Sequence, residues 1–264
     1  MKTAIKLVLL NLIIVQIFAP FLVMIPCVIY MFLTTGTMDQ NALMQMIMIP
    51  AQLTGQIMMT IYLWKAGYIS TQKVTWSPVS TSYLLYSILA IISCGYIVST
   101  LAAHMKFIPN IMEQTFEILQ SGWAGILAIA IVGPILEELL FRGAITKALL
   151  QQYKPTQAIL ISAAIFGVFH INPAQILPAF LIGLLFAWIY YKTASLIPCI
   201  LMHIFNNSLS VYMSFKYPDA DYMDEIITGT PYLIATCGAI VILIAVIWLM
   251  RKTTVNYPWK KTIE

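Results

Sequence analysis

The chain has 264 residues, of which 61% are hydrophobic and only 9% are charged. A water-soluble domain of this size needs far more polar residues to cover its surface, so the composition excludes one and predicts a polytopic membrane protein. The formal net charge of +4 comes from basic residues scattered between apolar stretches. Because no continuous basic stripe could follow a phosphate backbone, nucleic-acid binding is not expected.

Apolar runs separated by short polar breaks predict about eight membrane spans, since each span needs about 20 apolar residues. The predicted fold class is all-α: a transmembrane helical bundle in which residues 1–264 form a single membrane domain. The first run is too long for the hydrophobic segment of a signal peptide, so it predicts a first transmembrane helix. The predicted spans are residues 7–34, 41–64, 82–105, 122–152, 157–170, 173–191, 195–214 and 231–250.

The distribution of basic residues predicts that both termini lie in the cytoplasm. In an eight-span arrangement, only Lys106 and Lys216 fall on one side of the membrane. Cytoplasmic connections carry an excess of lysine and arginine, so the richer side is expected to be cytoplasmic. The basic residues on that side are Lys2, Lys6, Lys65, Lys73, Lys147, Lys154, Lys192, Arg251, Lys252, Lys260 and Lys261.

The fourth predicted span carries two adjacent carboxylates, Glu137 and Glu138, close to Pro134. Ionisable groups in the middle of a span are costly, and they usually face a protein interior or a water-filled cavity and have a function there. Glu138 and Arg142 are four residues apart on one helical face, so we expect an ion pair with an orienting or structural role. Glu137 points about 100° away and is expected to face a cavity.

Two later predicted spans also carry polar side chains, namely His170 in one and the pair His203 and Asn207 in the other. At a rise of about 1.5 Å per residue, Glu137, His170 and His203 lie roughly 22 Å, 20 Å and 12–14 Å from the nearest predicted cytoplasmic helix ends. The three segments therefore bring polar groups to a comparable depth. His203 and Asn207 are four residues apart and share a face.

These groups are suited to the hydrolysis of an amide bond by water. A carboxylate in a poorly hydrated cavity can act as a general base, which is the role expected for Glu137. His203 and Asn207 can stabilise the oxyanion that forms when water adds to the carbonyl, and His170 can hold the attacking water. Alternatively, Glu137, His170 and His203 form a sparse ligand set for a divalent metal such as zinc.

The sequence here resembles a known family. Glu137-Glu138-Leu-Leu-Phe-Arg142, Phe166-Gly-Val-Phe-His170 and His203-Ile-Phe-Asn-Asn207 are similar to the Glu-Glu-x-x-x-Arg, Phe-x-x-x-His and His-x-x-x-Asn motifs of the CAAX-processing and bacteriocin-processing (Abi, or CPBP) intramembrane endopeptidases. The resemblance covers residues 120–214 as a catalytic core. It implies an endopeptidase whose functional core is Glu137, His170, His203 and Asn207, with either a metal-dependent or a glutamate-based mechanism.

A non-catalytic reading stays open: the chain could have retained the pocket and use it to bind or regulate another membrane protein. For an enzyme, the expected partners are the lipid bilayer and a peptide or membrane-protein substrate. The small size and compact connections favour a multi-pass protein of the bacterial cytoplasmic membrane. In such a host the family resemblance implies peptide maturation or bacteriocin self-immunity.

Overall fold

The computed structural model of the chain describes residues 1–69, 75–253 and 259, and within these ranges every regular element is a helix. Seven of the described helices are long and apolar enough to cross a membrane. The predicted all-α transmembrane bundle is therefore confirmed. The long helices are α1 (Lys2–Thr35), α2 (Gln40–Lys65), α3 (Thr81–Ala103), α5 (Trp123–Leu150), α7 (Pro173–Thr193), α8 (Leu196–Lys216) and α10 (Gly229–Thr253).

Three shorter helices complete the described elements: α4 (Glu113–Gln120), α6 (Pro155–Phe169) and α9 (Met223–Ile226). Helix α6 corresponds to the predicted span 157–170. Its 15 residues extend for about 22 Å, which is less than the roughly 30 Å of a bilayer's hydrocarbon layer. About eight spans were predicted, and the bundle has seven long helices and this short one.

Several helices begin where the sequence supplies a polar cap. The Asp39 side chain accepts hydrogen bonds from the backbone N–H groups of Asn41 and Ala42, and so caps α2. Ser80 and Ser195 accept equivalent bonds at the starts of α3 and α8. These side chains satisfy donors that the first turn of a helix otherwise leaves unpaired.

Helix α5 contains two π-helical segments, Ala128–Val132 and Leu139–Thr146, one on each side of Pro134. In the first segment the N–H of Gly133 bonds to the carbonyl of Ala128, five residues earlier. The carbonyl of Ile129 then faces position 134, where proline has no N–H to donate. The backbone therefore has one acceptor without a helical partner in the middle of the bundle.

Helix α5 is central because it contacts α1, α2, α6, α7 and α8. Helices α6 and α7 pack along each other as a hairpin, and α3 packs along α10. The hairpin depends on glycine: a Cβ at Gly183 would lie 3.0 Å from Cδ1 of Phe166, and one at Gly167 would lie 2.7 Å from the carbonyl oxygen of Ile176. This close packing fixes α6 beside the centre of α5.

The connections between helices form two groups, one at each end of the bundle. At one end the N-terminal amine donates to Gln152, the Ser195 hydroxyl donates to the carbonyl of Ser77, and the Trp259 indole donates to the carbonyl of Tyr191. At the other end the connections contain the ion pair Lys106–Glu225 and the amide pair Asn172–Asn110. Which end faces the cytoplasm remains a prediction, and Lys73, Lys260 and Lys261 lie outside the described residues.

Candidate active site

Glu138 and Arg142 form a fully buried ion pair on α5. Both side chains have an exposed fraction of 0%, and Nη1 of Arg142 donates to Oε1 of Glu138 at 2.9 Å. Nη2 of Arg142 donates to the backbone carbonyl of Gly183 on α7 at 3.4 Å. A buried charge needs such partners, because an unpaired one carries a large desolvation cost. The ion pair expected from the four-residue spacing is thus present.

Aromatic rings enclose the guanidinium group of Arg142. Its Cζ lies 4.4 Å from the ring centroid of Phe166, 5.2 Å from that of Phe186 and 5.9 Å from that of Phe141. The faces of aromatic rings attract cations, and a planar guanidinium stacks on them well. Arg142 is therefore fixed in position by contacts that also exclude water from the ion pair.

The ion pair orients His203, which lies on α8 with a relative exposure of 5%. Nδ1 of His203 lies 2.8 Å from Oε1 of Glu138. A carboxylate paired with arginine accepts hydrogen bonds only, so Nδ1 carries the proton and donates it. The second ring nitrogen, Nε2, lies 3.9 Å from Oε2 of Glu137. This separation is too long for a direct hydrogen bond and fits a bridging atom between the two groups.

Glu137 faces away from the ion pair, as expected for the residue next to Glu138 on a helix. Its side chain is 26% exposed, and its Oε2 atom is buried without a hydrogen-bond partner. Glu137 forms part of the wall of a cavity whose other walls come mainly from α1 and α2. Oε2 of Glu138 also lacks a hydrogen-bond partner, but of the two carboxylates only Glu137 lines the cavity.

His170 ends α6, and its ring is fixed by its own helix. Nδ1 donates to the carbonyl of Phe166 at 2.8 Å, which leaves Nε2 as the ring nitrogen available to another group. The next residue, Ile171, has a φ of 62°, a left-handed conformation that is strained for a β-branched side chain. The following Asn172 is fully buried and accepts a hydrogen bond from the N–H of Ile111.

Asn207 contacts the irregular part of α5. Its Nδ2 donates to the carbonyl of Ile129 at 3.0 Å, and this is the carbonyl that Pro134 leaves without a helical partner. Its Oδ1 accepts from the side chain of Asn206 at 3.3 Å. One amide hydrogen of Asn207 is therefore used to hold α8 against α5.

The predicted metal ligands do not assemble into a three-ligand set. Among the residues that the structure describes, no group of three histidine, cysteine, aspartate or glutamate side chains is arranged to hold a metal ion. Glu137 and His203 approach each other at 3.9 Å, and the ring nitrogen of His170 that remains available is Nε2.

Three features of the site were not foreseen from the sequence. They are the hydrogen bond between Glu138 and His203, the backbone carbonyl of Gly183 as an arginine acceptor, and the amide side chains opposite Glu137. The first two depend on helix packing and have no local signal. The amides interrupt apolar runs in α1 and α2, and this interruption is a signal that could have indicated them. The residues are Asn11, Gln16, Gln52 and Gln56.

Comparison with known proteins finds a match over the region that contains the site. Residues 119–209 match the family model of the Rce1-like type II CAAX prenyl endopeptidases. This range contains all three motifs and the whole Glu138–Arg142–His203 network. The resemblance to the CPBP family of intramembrane endopeptidases is thereby confirmed.

Two curated proteins are similar to this chain. One, named "Putative membrane peptidase YdiL", is from Bacillus subtilis and is 32% identical over 113 residues, which is 43% of this chain and 46% of that protein. The other, named "UPF0177 protein YxdF", is from Lactococcus lactis and is 25% identical over 152 residues, which is 56% of this chain and 84% of that protein. The first match thus spans less than half of its relative. No solved structure matches the chain significantly.

Proposed function

We propose that the chain is an intramembrane endopeptidase that hydrolyses a peptide bond of a membrane-associated peptide or protein. One observation carries the proposal: the free Oε2 of Glu137 lies 3.9 Å from Nε2 of His203, whose ring is oriented by Glu138. A base and an oriented imidazole face each other across a gap that can hold a reacting atom. That arrangement meets the geometric requirement for general-base hydrolysis.

In the proposed reaction, the Glu137 carboxylate takes a proton from a water molecule, and the water oxygen attacks the carbonyl carbon of the substrate. His203 donates a hydrogen bond from Nε2 to the oxyanion that forms. The carbonyl re-forms as the C–N bond breaks, and the proton held by Glu137 passes to the leaving nitrogen. The products are a carboxylic acid and an amine, and the Glu137 carboxylate is regenerated.

The charges of the site support this role for His203. Glu138 is paired with the guanidinium of Arg142, whereas Glu137 lies 3.9 Å from Nε2 of His203. The donor role requires a proton on Nε2 of His203 as well as on Nδ1, and the Glu137 carboxylate balances the resulting positive charge. Glu138 stabilises that cation through its contact with Nδ1, as a carboxylate does for the histidine of other hydrolytic sites.

His170 and Asn207 complete the proposed site. The Nε2 atom of His170 is the nitrogen free to position the water or the substrate carbonyl, because Nδ1 is already bonded to the carbonyl of Phe166. Asn207 has a second amide hydrogen besides the one donated to the carbonyl of Ile129. We propose that this hydrogen is directed to the oxyanion.

For the substrate, we propose a short peptide or a membrane protein of a bacterial cytoplasmic membrane, processed in peptide maturation or bacteriocin self-immunity. The two curated relatives come from bacteria, which supports a bacterial setting. A prenylated CAAX terminus is a substrate only in a host that prenylates proteins. A precursor peptide encoded near the gene is therefore the first candidate.

Comparative membrane proteomics tests the proposal. Wild type, Glu137→Gln and the control Glu113→Gln, which changes an exposed carboxylate on α4, are expressed at equal levels. We expect cleavage products in wild type and the control that are absent with Glu137→Gln, because the amide cannot take the proton. Identical peptide profiles in all three strains contradict the enzyme. If no cleavage product appears in any strain and the Glu137→Gln strain keeps the wild-type cellular phenotype, a non-catalytic partner is supported instead.

A further inference from the structure

A second set of polar groups lies opposite Glu137, and it comes from helices outside the matched region. Helices α1 and α2 present four carboxamide side chains and one hydroxyl to a cavity of ≈ 50 Å³. We call this the amide cavity. Its polar lining residues are Asn11, Gln16, Gln52, Gln56, Thr60 and Glu137.

The amide cavity exists because α1 and α2 approach each other closely at Gly55. A Cβ at this position would lie 2.8 Å from Cα of Val15, so only glycine allows this separation. Gln52 and Gln56 lie three residues before and one residue after Gly55. The close approach therefore brings both amides of α2 to the α1 segment that carries Asn11 and Gln16.

Two polar atoms in this cavity lack protein partners, whereas the Thr60 hydroxyl donates to the carbonyl of Gln56. Oε1 of Gln56 and Oε2 of Glu137 are buried, and neither has a hydrogen bond within the described part of the chain. The amide orientation of Gln56 is interchangeable, but either orientation leaves a polar atom there. Asn11 has a relative exposure of 6% and lines the same cavity. Buried polar groups are normally satisfied, by ordered water where the protein does not supply a partner.

The size of the amide cavity decides which ligand it holds. Sites for small organic molecules usually measure about 300–1,000 Å³, which is far larger. A single water molecule needs about 10–15 Å³ of cavity volume, together with two to four polar partners. The cavity therefore has room for roughly three water molecules, and its carboxamides can both donate and accept. The exposed Gln16 gives it a polar rim.

We propose that the amide cavity is a hydration site that holds a small cluster of water molecules against Glu137 and supplies the water consumed in hydrolysis. The supply role rests on the proposed function, whereas the hydration itself does not. Each peptide bond cleaved consumes one water, and the surrounding hydrocarbon provides none. Neutral amides hold this water, but they do not take the proton that Glu137 removes from it.

Radiolytic hydroxyl-radical footprinting of the full chain in lipid nanodiscs tests hydration without any substrate. Radicals form from water at the site, so a buried side chain beside bound water is oxidised. Met59 lines the cavity and is 2% exposed, while Met31 and Met250 are 4% and 0% exposed and do not line it. We expect Met59 to be oxidised at least five-fold faster than both controls. Equal protection of all three methionines overturns the proposal.

Substitution of the cavity amides tests the supply role. Gln56→Leu removes a polar partner of the water, and we expect a roughly ten-fold loss of kcat at little change in KM, with Met59 oxidation reduced towards that of Met31. Gln45→Leu is the matched control, since it is an exposed glutamine on the same helix. Should Gln56→Leu not fold, Asn11→Leu takes its place. Wild-type kcat in a folded cavity variant overturns the supply role.

The two proposals fail in distinguishable ways. Equal cleavage by wild type and Glu137→Gln contradicts the proposed peptidase. It does not bear on the hydration site, which the oxidation of Met59 tests separately. Protection of Met59 together with a Glu137-dependent cleavage contradicts the hydration site and leaves the peptidase in place.

Discussion

The Glu138 carboxylate binds Nδ1 of His203 at 2.8 Å, although 65 residues separate the two in the chain. The same oxygen of Glu138 also accepts from Arg142, so one buried atom joins the first and third motifs. Helix α5 thereby sets the orientation of a side chain on α8. Within the Glu-Glu pair, Glu138 contacts His203 directly and Glu137 lines the cavity.

Replacement of Glu138 by glutamine is expected to lower kcat by roughly 10²- to 10⁴-fold, because the amide no longer enforces the proton on Nδ1 of His203. The effect on KM is expected to be small. Steady-state cleavage of a reporter peptide in proteoliposomes measures both constants. Glu117→Gln, an exposed carboxylate on α4, is the control. A Glu138→Gln enzyme with unchanged kcat would show that the contact is not used in catalysis.

Asn207 and Pro134 are expected to be energetically coupled through the carbonyl of Ile129. Asn207→Leu should lower the free energy of unfolding by about 1–3 kcal/mol, since it leaves a buried acceptor without a partner. In a Pro134→Ala background the new backbone N–H can serve that carbonyl, so the same change should cost less. A double-mutant cycle on unfolding in mixed micelles measures the coupling. Additive effects of the two substitutions would contradict it.

Gly55→Ala is expected to destabilise the chain by about 1–3 kcal/mol, because its Cβ would meet Cα of Val15 at 2.8 Å. The added Cβ should push α1 and α2 apart. Activity should then fall as well, because Gln52 and Gln56 move with α2. Gly238→Ala on α10 is the matched control, as a Cβ there meets nothing within 4 Å. Thermal unfolding in nanodiscs compares the two variants, and equal midpoints would refute the close approach.

The connection at the end of the bundle opposite the N-terminus should respond to acid. Lys106 donates to Oε1 of Glu225 at 2.5 Å, and this contact, followed by the N–H of Asp221, holds the pKa of Glu225 below its ordinary value of 4.5. A carboxyl with a lowered pKa stabilises the folded form above its unfolded pKa, and this stabilisation is lost as the pH falls through the lowered value.

The backbone N–H groups of Asp221 and Tyr222 report this change, because they donate to Oε2 of Glu225 at 2.8 Å and 3.2 Å. We expect their protection from hydrogen exchange at neutral pH and its loss below pH 4.5. Glu225→Gln, measured at the same pH values, removes the titrating group and corrects for the intrinsic pH dependence of exchange. Protection that persists in acid would contradict the assignment.

Local rules predicted the features that depend on one helix. The pair Glu138 and Arg142 followed from a spacing of four residues, and the different direction of Glu137 followed from the rotation of about 100° per residue. The spans followed from apolar length, although α6 is shorter than a span requires. In each case the information lies within about one or two helical turns.

Contacts between helices were beyond the reach of such rules. The meeting of Glu138 with His203 depends on how α5 and α8 are packed, and the π-helical segments around Pro134 shift the register of α5. The bond from Asn207 to Ile129 depends on both effects. The polar lining from α1 and α2 went unassigned because isolated amides carry no motif, and their role becomes visible only when the helices are adjacent.

The shortness of α6 has a consequence for how a substrate reaches the site. A helix of 15 residues is about 8 Å shorter than a bilayer's hydrocarbon layer, so we expect the turn at Asn172 to lie recessed within that layer. Polar backbone at this depth must be bonded to protein, and Asn172 meets that need by binding Ile111. In the adjoining loop the side chains of Phe107 and Ile111 are exposed. For the proposed peptidase, we therefore expect the scissile bond to reach this recess laterally, from the lipid.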